Sequence, residues 1–172
     1  MAAMSPGDEI VAIVDQSNQV VGNATRREMR AGRLTHRATY ILVFNSSGEL
    51  LVQKRTMTKD VFPGFWDVAA GGVVLAGESY EEGASRELCE ELGIVDVPLK
   101  NELELYYEDE RTRVWGSVFT CIHDGPFRLQ EEEIVSAELM SIDEILRRSN
   151  AEPFTPDGMY VLRRYQLLAV SR

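Results

Sequence analysis

Residues 72–94 read GVVLAGESYEEGASRELCEELGI, and this stretch decides the fold and most of the chemistry of the chain. Residues 66–74, which lead into it, are predicted as a strand interrupted by its two glycines. Ser79 opens a capping-box pattern, so a helix is predicted to begin near Tyr80. Gly93 is expected to end this helix, because glycine adopts the left-handed conformation at little cost.

An apolar stripe and a group of carboxylates share the surface of the predicted helix. Apolar residues recur every fourth position from Ala84 to Leu92, and they predict the face that packs on the core. Glu87, Glu90 and Glu91 lie three and four positions apart and project from an adjoining face. Like charges at this spacing oppose helix formation. Either water or a hard cation relieves that repulsion, and oxygen ligands without His or Cys suit Mg²⁺ or Mn²⁺ rather than zinc.

The same stretch resembles the Nudix box, G-x5-E-x7-R-E-U-x-E-E-x-G-U with U aliphatic, and it matches every defined position without a gap. The resemblance implies an α/β protein with a Nudix-type α/β/α sandwich and a mixed β-sheet. It also implies a hydrolase that cleaves a nucleoside diphosphate linked to another moiety, by attack of water on phosphorus. A non-catalytic nucleotide-binding or sensor domain of the family is the alternative, but such domains typically lose box carboxylates that this chain keeps.

Roles for individual residues follow from their positions in the box. The implied cofactor is Mg²⁺, with Mn²⁺ as the alternative, because a diphosphate is anionic and its cleavage requires charge neutralisation. Arg86 is expected to pair with Glu78 and to hold the loop against the helix, with a plain structural salt bridge as the alternative. Glu90 and Glu91 are expected to act in catalysis together with Arg86. The implied metal contacts are the Gly72 carbonyl and the carboxylates of Glu87, Glu90 and Glu91.

Two further site residues are predicted outside the box. Residues 131–133 form a second acidic cluster before a predicted strand, where many family members place an additional catalytic or metal-binding carboxylate. Glu132 is the candidate for that catalytic role, and a solvated turn is the alternative. Arg55 ends a predicted strand and is the candidate for binding a substrate phosphate, although basic residues at strand ends are common on surfaces.

The flanking sequence adds a second resemblance. Residues 36–44 (HRATYILVF), with the strand and loop that follow, are similar to isopentenyl-diphosphate isomerase, a Nudix relative. That family has a Cys immediately before the first box glycine and a metal-binding His just after it, where this chain has Gly71 and Val73. His36 alone occupies a ligand position of the isomerase, so isomerase-like activity is the less favoured alternative. Over nearly its whole length the chain resembles the YfcD-type bacterial subgroup of Nudix hydrolases.

Length and charge limit the number of domains and the partners. A chain of 172 residues suits a single domain spanning 1–172. Within it we expect an N-terminal hairpin and short helix at 1–35, a Nudix core at 36–150 and a C-terminal helix at 151–172. The net charge of −10 argues against nucleic acid or an anionic membrane as a partner. The expected partner is a small diphosphate substrate, and a homodimer is left open.

Hydropathy and cysteine content favour a cytoplasmic protein. The longest apolar runs are far shorter than a membrane span, and no basic segment followed by an apolar stretch opens the chain. Cys89 and Cys121 are predicted as small core residues rather than a disulfide, which fits a reducing compartment.

Overall fold

The computed structural model describes residues 3–171, which form one mixed β-sheet with helices on both faces. The strands are β1 (Ile10–Val14), β2 (Val20–Thr25), β3 (Thr35–Phe44), β4 (Leu50–Arg55), β5 (Trp66–Asp67), β6 (Lys100–Glu108), β7 (Arg113–Ile122) and β8 (Ile134–Met140). The helices are α1 (Arg26–Gly32), α2 (Tyr80–Leu92), α3 (Ile142–Arg148) and α4 (Pro156–Val170), with a 3₁₀ turn at Pro6–Asp8.

Strand β3 is the centre of the sheet. It runs parallel to β7 over its full length, from the pair Thr35–Arg113 to the pair Phe44–Ile122. The other strand pairs are antiparallel, so the sheet is mixed as predicted. The residues of β3 from 38 to 43 are buried on both faces of the sheet, which explains why they read as a nearly continuous apolar run.

Two cores separate the sheet from its helices and confirm the α/β/α sandwich. On one face, α2 packs Ala84, Leu88 and Leu92 against the sheet, and Cys121 belongs to the same core. Neither Cys121 nor the half-buried Cys89 forms a disulfide, as predicted. The opposite core contains residues from α3, α4 and the other side of the strands, including Tyr40, Leu42, Leu50, Val52, Ile145, Met159, Val161 and Leu162.

The N-terminal hairpin supports the loop that begins the box. Val11 of β1 lies opposite Leu75 in an antiparallel bridge, and the Ile10 carbonyl accepts a hydrogen bond from the Ala76 N–H at 3.0 Å. Val11 also packs with Met29 of α1 and Val73 in a small core of its own. The hairpin and α1 therefore form one wall of the region around the box, whereas the domain boundaries stay predictions.

Residues 66–74 form less strand than predicted. Only Trp66 and Asp67 pair as a strand, and the chain then meets β3 through isolated bridges at Ala70 and Val73. Gly71, at φ 126°, lies between these two bridges and interrupts the ladder. The break brings the glycine backbone against β3 and turns it towards the start of α2.

Candidate active site

Helix α2 carries the box carboxylates and buries two of them. Ser79 caps the helix, its Oγ accepting a hydrogen bond from a first-turn backbone N–H at 3.1 Å, and Gly93 ends it at φ 68°. Because the apolar stripe faces the sheet, the adjoining Glu91 is only 6% exposed and the Glu87 side chain 13%. Glu90 lies further round the helix, with half of its side chain exposed.

Glu91 is the most deeply buried carboxylate of the box. Its Oε2 accepts a hydrogen bond from the Gly71 backbone N–H at 3.3 Å and one from Gln53 Nε2 at 3.5 Å. Burial raises the pKa of Glu91 to about 8, the neighbouring Glu87 adds to the rise, and these donors and the Lys59 ammonium oppose it. A cation placed beside Glu91 would restore the ionised form at neutral pH.

Gly72 lies against the carboxylate of Glu87. A Cβ at position 72 would be 2.8 Å from Glu87 Oε1, so any larger residue would displace the Glu87 carboxylate. Burial raises the pKa of Glu87, and Glu90 adds to that effect while Arg86 opposes it. The Gly72 carbonyl accepts a hydrogen bond from the Thr39 N–H at 2.9 Å and a longer one from the Thr39 hydroxyl at 3.4 Å. A metal ion at this carbonyl would replace the weaker bond to the hydroxyl.

Arg86 joins the box loop to the box helix. Its Nε and Nη2 donate to the two carboxylate oxygens of Glu78 at 2.7 and 3.0 Å, so the expected ion pair is present. Its Nη1 donates to Glu87 at 3.0 Å and to Glu90 at 3.3 Å. The hydrogen bonds with Glu78 raise the pKa of Arg86, which therefore stays charged. One guanidinium thus orients three carboxylates, and its part in catalysis stays a prediction.

A cleft extends from these carboxylates to the N-terminal helix α1. Arg55 lies in this cleft with 15% of its side chain exposed. Its guanidinium donates to the Val61 carbonyl at 2.9 Å and to Asp67 Oδ2 at 3.4 Å, so protein groups already hold the predicted substrate-binding residue. Other charged side chains that line the cleft include Arg26, Arg30, Lys59, Glu133 and Asp157.

The structure brings Glu133 into the cleft and leaves Glu132 outside it. The Glu133 carboxylate forms an ion pair with the Lys59 ammonium, and both side chains line the cleft. Glu132 is exposed and lines an adjoining surface depression, which shares Arg26, Arg30, Lys59 and Glu133 with the cleft. Thr56 holds this loop in place, because its hydroxyl donates to the Glu132 carbonyl and its backbone N–H donates to the Glu133 carbonyl, each at 3.1 Å. The sequence of residues 131–133, three consecutive glutamates, does not indicate which of them faces the cleft.

The residues present fit a hard divalent cation. Two carboxylates, the largely buried Glu87 and the buried Glu91, interact with each other, and the backbone of Gly72 lies against Glu87. Oxygen donors of this kind are the ones that Mg²⁺ and Mn²⁺ prefer. Within residues 3–171, no three His, Cys, Asp or Glu side chains are already gathered around one point. Arg86 Nη1 donates to both Glu87 and Glu90, and the Glu90 side chain is half exposed. The protein would therefore supply few ligands and leave several positions to water or substrate, as Mg²⁺ sites often do.

Comparison with known proteins identifies the family. A model of the NUDIX domain matches residues 34–164, a range that contains the box, strands β3 to β8 and most of the cleft. The chain belongs to the Nudix family. The Nudix hydrolase YfcD of Escherichia coli K12 is 47% identical over 154 residues, covering 90% of this chain and 84% of the relative. A Nudix hydrolase of Pseudomonas aeruginosa is 44% identical over 157 residues, covering 91% of this chain and 93% of the relative.

A solved structure supports the same assignment. The crystal structure of DR0079 from Deinococcus radiodurans has a TM-score of 0.80 and 25% identity, covering 91% of this chain and 98% of that chain. The expected YfcD-type subgroup and the Nudix-type sandwich are therefore confirmed. The protein is a Nudix pyrophosphohydrolase that acts on small molecules.

His36, the Nudix residue that matches the isomerase pattern, is buried in the wall of the cleft. It is 2% exposed, and its Nδ1 lies 3.1 Å from the Leu34 carbonyl. Burial lowers the pKa of His36 to about 4, and the nearby Arg30 contributes, so the ring is neutral at neutral pH. This chain has Gly71 where the isomerase has its Cys, and Val73 where the isomerase has another metal-binding His. Isomerase-like activity therefore stays the less favoured alternative.

No helix of this Nudix chain within residues 3–171 is long and apolar enough to cross a membrane. The predicted cytoplasmic location and the possibility of a homodimer stay untested predictions.

Replacement of Arg86 by Lys is expected to lower kcat by about tenfold or more, because an ammonium cannot pair with Glu78 and orient Glu87 and Glu90 at once. Arg148→Lys is the matched control. Arg148 forms a similar two-pronged pair with Glu152, at 2.6 and 3.1 Å, and lies outside the cleft. Steady-state kinetics should show a loss of kcat in Arg86→Lys and not in Arg148→Lys. Equal losses of kcat in the two variants would mean that Arg86 forms only a structural salt bridge.

Proposed function

We propose that the protein is a divalent-metal-dependent hydrolase that cleaves a diphosphate linkage in a nucleoside-diphosphate-type substrate, by attack of water on phosphorus. The observation that carries this proposal is the buried pair Glu87 and Glu91 beside Gly72, at one end of a cleft that contains several cations. Both carboxylates have raised pKa values, and a divalent cation would offset their burial.

The metal and the protein would divide the chemistry. When bound, Mg²⁺ or Mn²⁺ would neutralise charge on the diphosphate and lower the pKa of a coordinated water. Glu87 and Glu91 would hold the ion together with the Gly72 carbonyl, and Glu90 would serve as a further ligand or in the network that accepts the proton. Arg86 would keep these carboxylates oriented, which limits their rearrangement during the reaction.

Arg55 is proposed to contact a phosphate of the substrate. In the structure it is paired with Asp67, whose pKa burial raises to about 6 while Arg55 opposes the rise. An incoming phosphate would compete with Asp67 for the guanidinium, and a dianion is the stronger partner for that fork. Lys59, on the same side of the cleft, would add a second positive charge near the substrate.

A direct comparison of Glu132 with Glu133 tests which member of the second acidic cluster acts in catalysis. Because Glu133 lines the cleft, Glu133→Gln is expected to lower kcat by about a hundredfold, as loss of a general base does. Glu132→Gln, the matched control one residue away, is expected to leave kcat unchanged. Steady-state rates of the two variants decide the matter, and a loss confined to Glu132→Gln would favour the assignment made from sequence.

The proposed function is tested by chromatography of the hydrolysis products (phosphomonoesters, pyrophosphate and phosphate) formed from nucleoside di- and triphosphates, nucleotide sugars, dinucleotides and isopentenyl diphosphate. Each compound is incubated with Mg²⁺, with Mn²⁺ and with a chelator. We expect hydrolysis of at least one nucleotide that stops in the chelator. If no compound is hydrolysed although the protein binds the metal and a nucleotide, the non-catalytic binding module becomes the better description.

A further inference from the structure

Two arginines of the N-terminal helix point into the cleft from the side away from the box. Arg26 and Arg30 are four residues apart on α1, so they share one face of the helix. Both line the cleft that also contains Glu87 and Glu91, and their side chains are only 18% and 22% exposed. The range matched by the NUDIX model begins at residue 34, so both arginines precede the part of the chain that defines the family.

One close carboxylate faces both guanidiniums, and a second carboxylate lies at the limit of ion-pair distance from Arg26. Arg26 donates to both oxygens of Asp60, at 3.1 and 3.3 Å, and lies 3.9 Å from the carboxylate of Glu9. Arg30 faces the same Asp60 oxygen, with Nε at 3.4 Å. That Nε is buried and makes no hydrogen bond within residues 3–171. Two guanidiniums therefore share one close carboxylate, and one of them has an unsatisfied buried donor.

The positive charge of the two arginines affects the pKa values of neighbouring groups. Burial is the largest cause of the lowered pKa values of His36 and Lys59. Arg30 and Arg26 also lower the pKa of His36, Arg55 and then Arg26 lower that of Lys59, and Asp60 opposes both effects. Lys59 also interacts with Glu91 and lines the same cleft. The cleft thus has an acidic end suited to a cation and a basic end suited to an anion.

We propose that Arg26 and Arg30 form an anion-binding site that receives a phosphate-type group of the substrate other than the one attacked at the box carboxylates. The identity of that ligand as substrate rests on the proposed function, whereas the anion site itself does not. A substrate held at both ends of the cleft must carry a further anionic group beyond the scissile linkage. The site therefore selects compounds such as nucleoside triphosphates over diphosphates that end in a neutral group. The N-terminal extension is thus part of the substrate-binding machinery.

The test is calorimetric titration of the full-length protein with inorganic pyrophosphate in the presence of a chelator. The chelator removes metal-dependent binding at the box, so a failure of the hydrolase proposal does not affect the result. We expect the double variant Arg26→Gln/Arg30→Gln to bind pyrophosphate about tenfold more weakly or worse, the size expected for lost charged hydrogen bonds. Arg27→Gln is the matched control, because it removes the same charge from the same helix. Its side chain is 64% exposed and pairs with Asp8, and it lines the adjoining surface depression rather than the cleft.

A second variant, which keeps both arginines, is expected to change the pyrophosphate affinity in the opposite direction. Asp60→Asn eliminates the carboxylate that both guanidiniums share, so pyrophosphate should bind more tightly than to the unaltered protein. The Asp60 side chain is 41% exposed, so the fold should tolerate the change. Unchanged affinity in the double arginine variant, an equal loss in Arg27→Gln, or weaker binding in Asp60→Asn would each overturn the proposal.

Discussion

Replacement of Glu91 by Gln is expected to abolish metal-dependent hydrolysis and, at the same time, to make the metal-free protein more stable at about pH 8. The amide has nearly the shape of the carboxyl but cannot ionise, so it is a poor ligand for a hard cation. We expect kcat to fall by about a hundredfold or more, as when a main electrostatic contribution to the transition state is lost. Replacing a desolvated active-site group characteristically lowers activity and raises stability together, so this combination would identify Glu91 as such a group.

The direction of the stability effect follows from the pKa of Glu91. In the folded protein the pKa is raised from 4.5 to about 8, so the folded state holds a proton that the unfolded state releases. The free energy of unfolding should therefore decrease as pH rises from about 4.5 to about 8, and level off above that. The Gln variant lacks this contribution and should be the more stable protein, by a few kcal/mol, at the alkaline end.

Thermal unfolding with chelator at about pH 5 and about pH 8 measures this effect, alongside kcat with metal. Glu82→Gln, an exposed change on the same helix, is the control and should alter neither quantity. If Glu91→Gln is destabilised equally at both pH values, the carboxyl is not held protonated in the metal-free protein. Retained hydrolysis in the variant would remove Glu91 from the site.

Gly71→Ala is expected to cause the largest loss of stability among single substitutions near the site. A Cβ at this position would lie 2.1 Å from the Thr39 carbonyl oxygen, which is backbone and cannot move without displacing β3. The residue also has φ 126°, which alanine adopts only with strain. The strain alone costs roughly 1–3 kcal/mol, and the clash adds to it, so much of a typical domain stability is lost.

Gly48→Ala is the control that separates the cost of backbone strain from the cost of a steric clash. Gly48 has φ 82° in the turn between β3 and β4, but a Cβ there would meet nothing within 4 Å. This control should lose only about 1 kcal/mol. Chemical denaturation of both variants gives the two free energies of unfolding. Equal losses would show that contact with Thr39 does not govern the conformation at Gly71.

The sequence predicted the elements whose physical signals are local. The apolar stripe that contains Leu88 requires one face of α2 to be buried, and the spacing of Glu87 and Glu91 then places both carboxylates next to the core. Capping residues set the beginnings of the helices, and the uninterrupted run in β3 reflects burial on two faces. These features depend on the spacing of apolar residues and on helix-capping residues, and both can be read from a single sequence.

Features that depend on contacts between distant segments were not predictable in the same way. Glu132 and Glu133 are equivalent in sequence, and only the pairing of Glu133 with Lys59, 74 residues away, directs one of them into the cleft. Arg26 and Arg30 read as ordinary surface residues of a short amphipathic helix. Their position in the cleft results from packing of the N-terminal hairpin against the box loop, which leaves no local signature.

The central claim is that the box carboxylates hold a divalent cation, and titration with Mn²⁺ followed by electron paramagnetic resonance tests it without knowledge of the substrate. We expect the unaltered protein to bind Mn²⁺ near neutral pH and Mg²⁺ to compete for the same site. Glu87→Gln and Glu91→Gln should each weaken Mn²⁺ binding by about tenfold or more, whereas Glu82→Gln should not. Equal Mn²⁺ affinity in all four proteins would contradict the account.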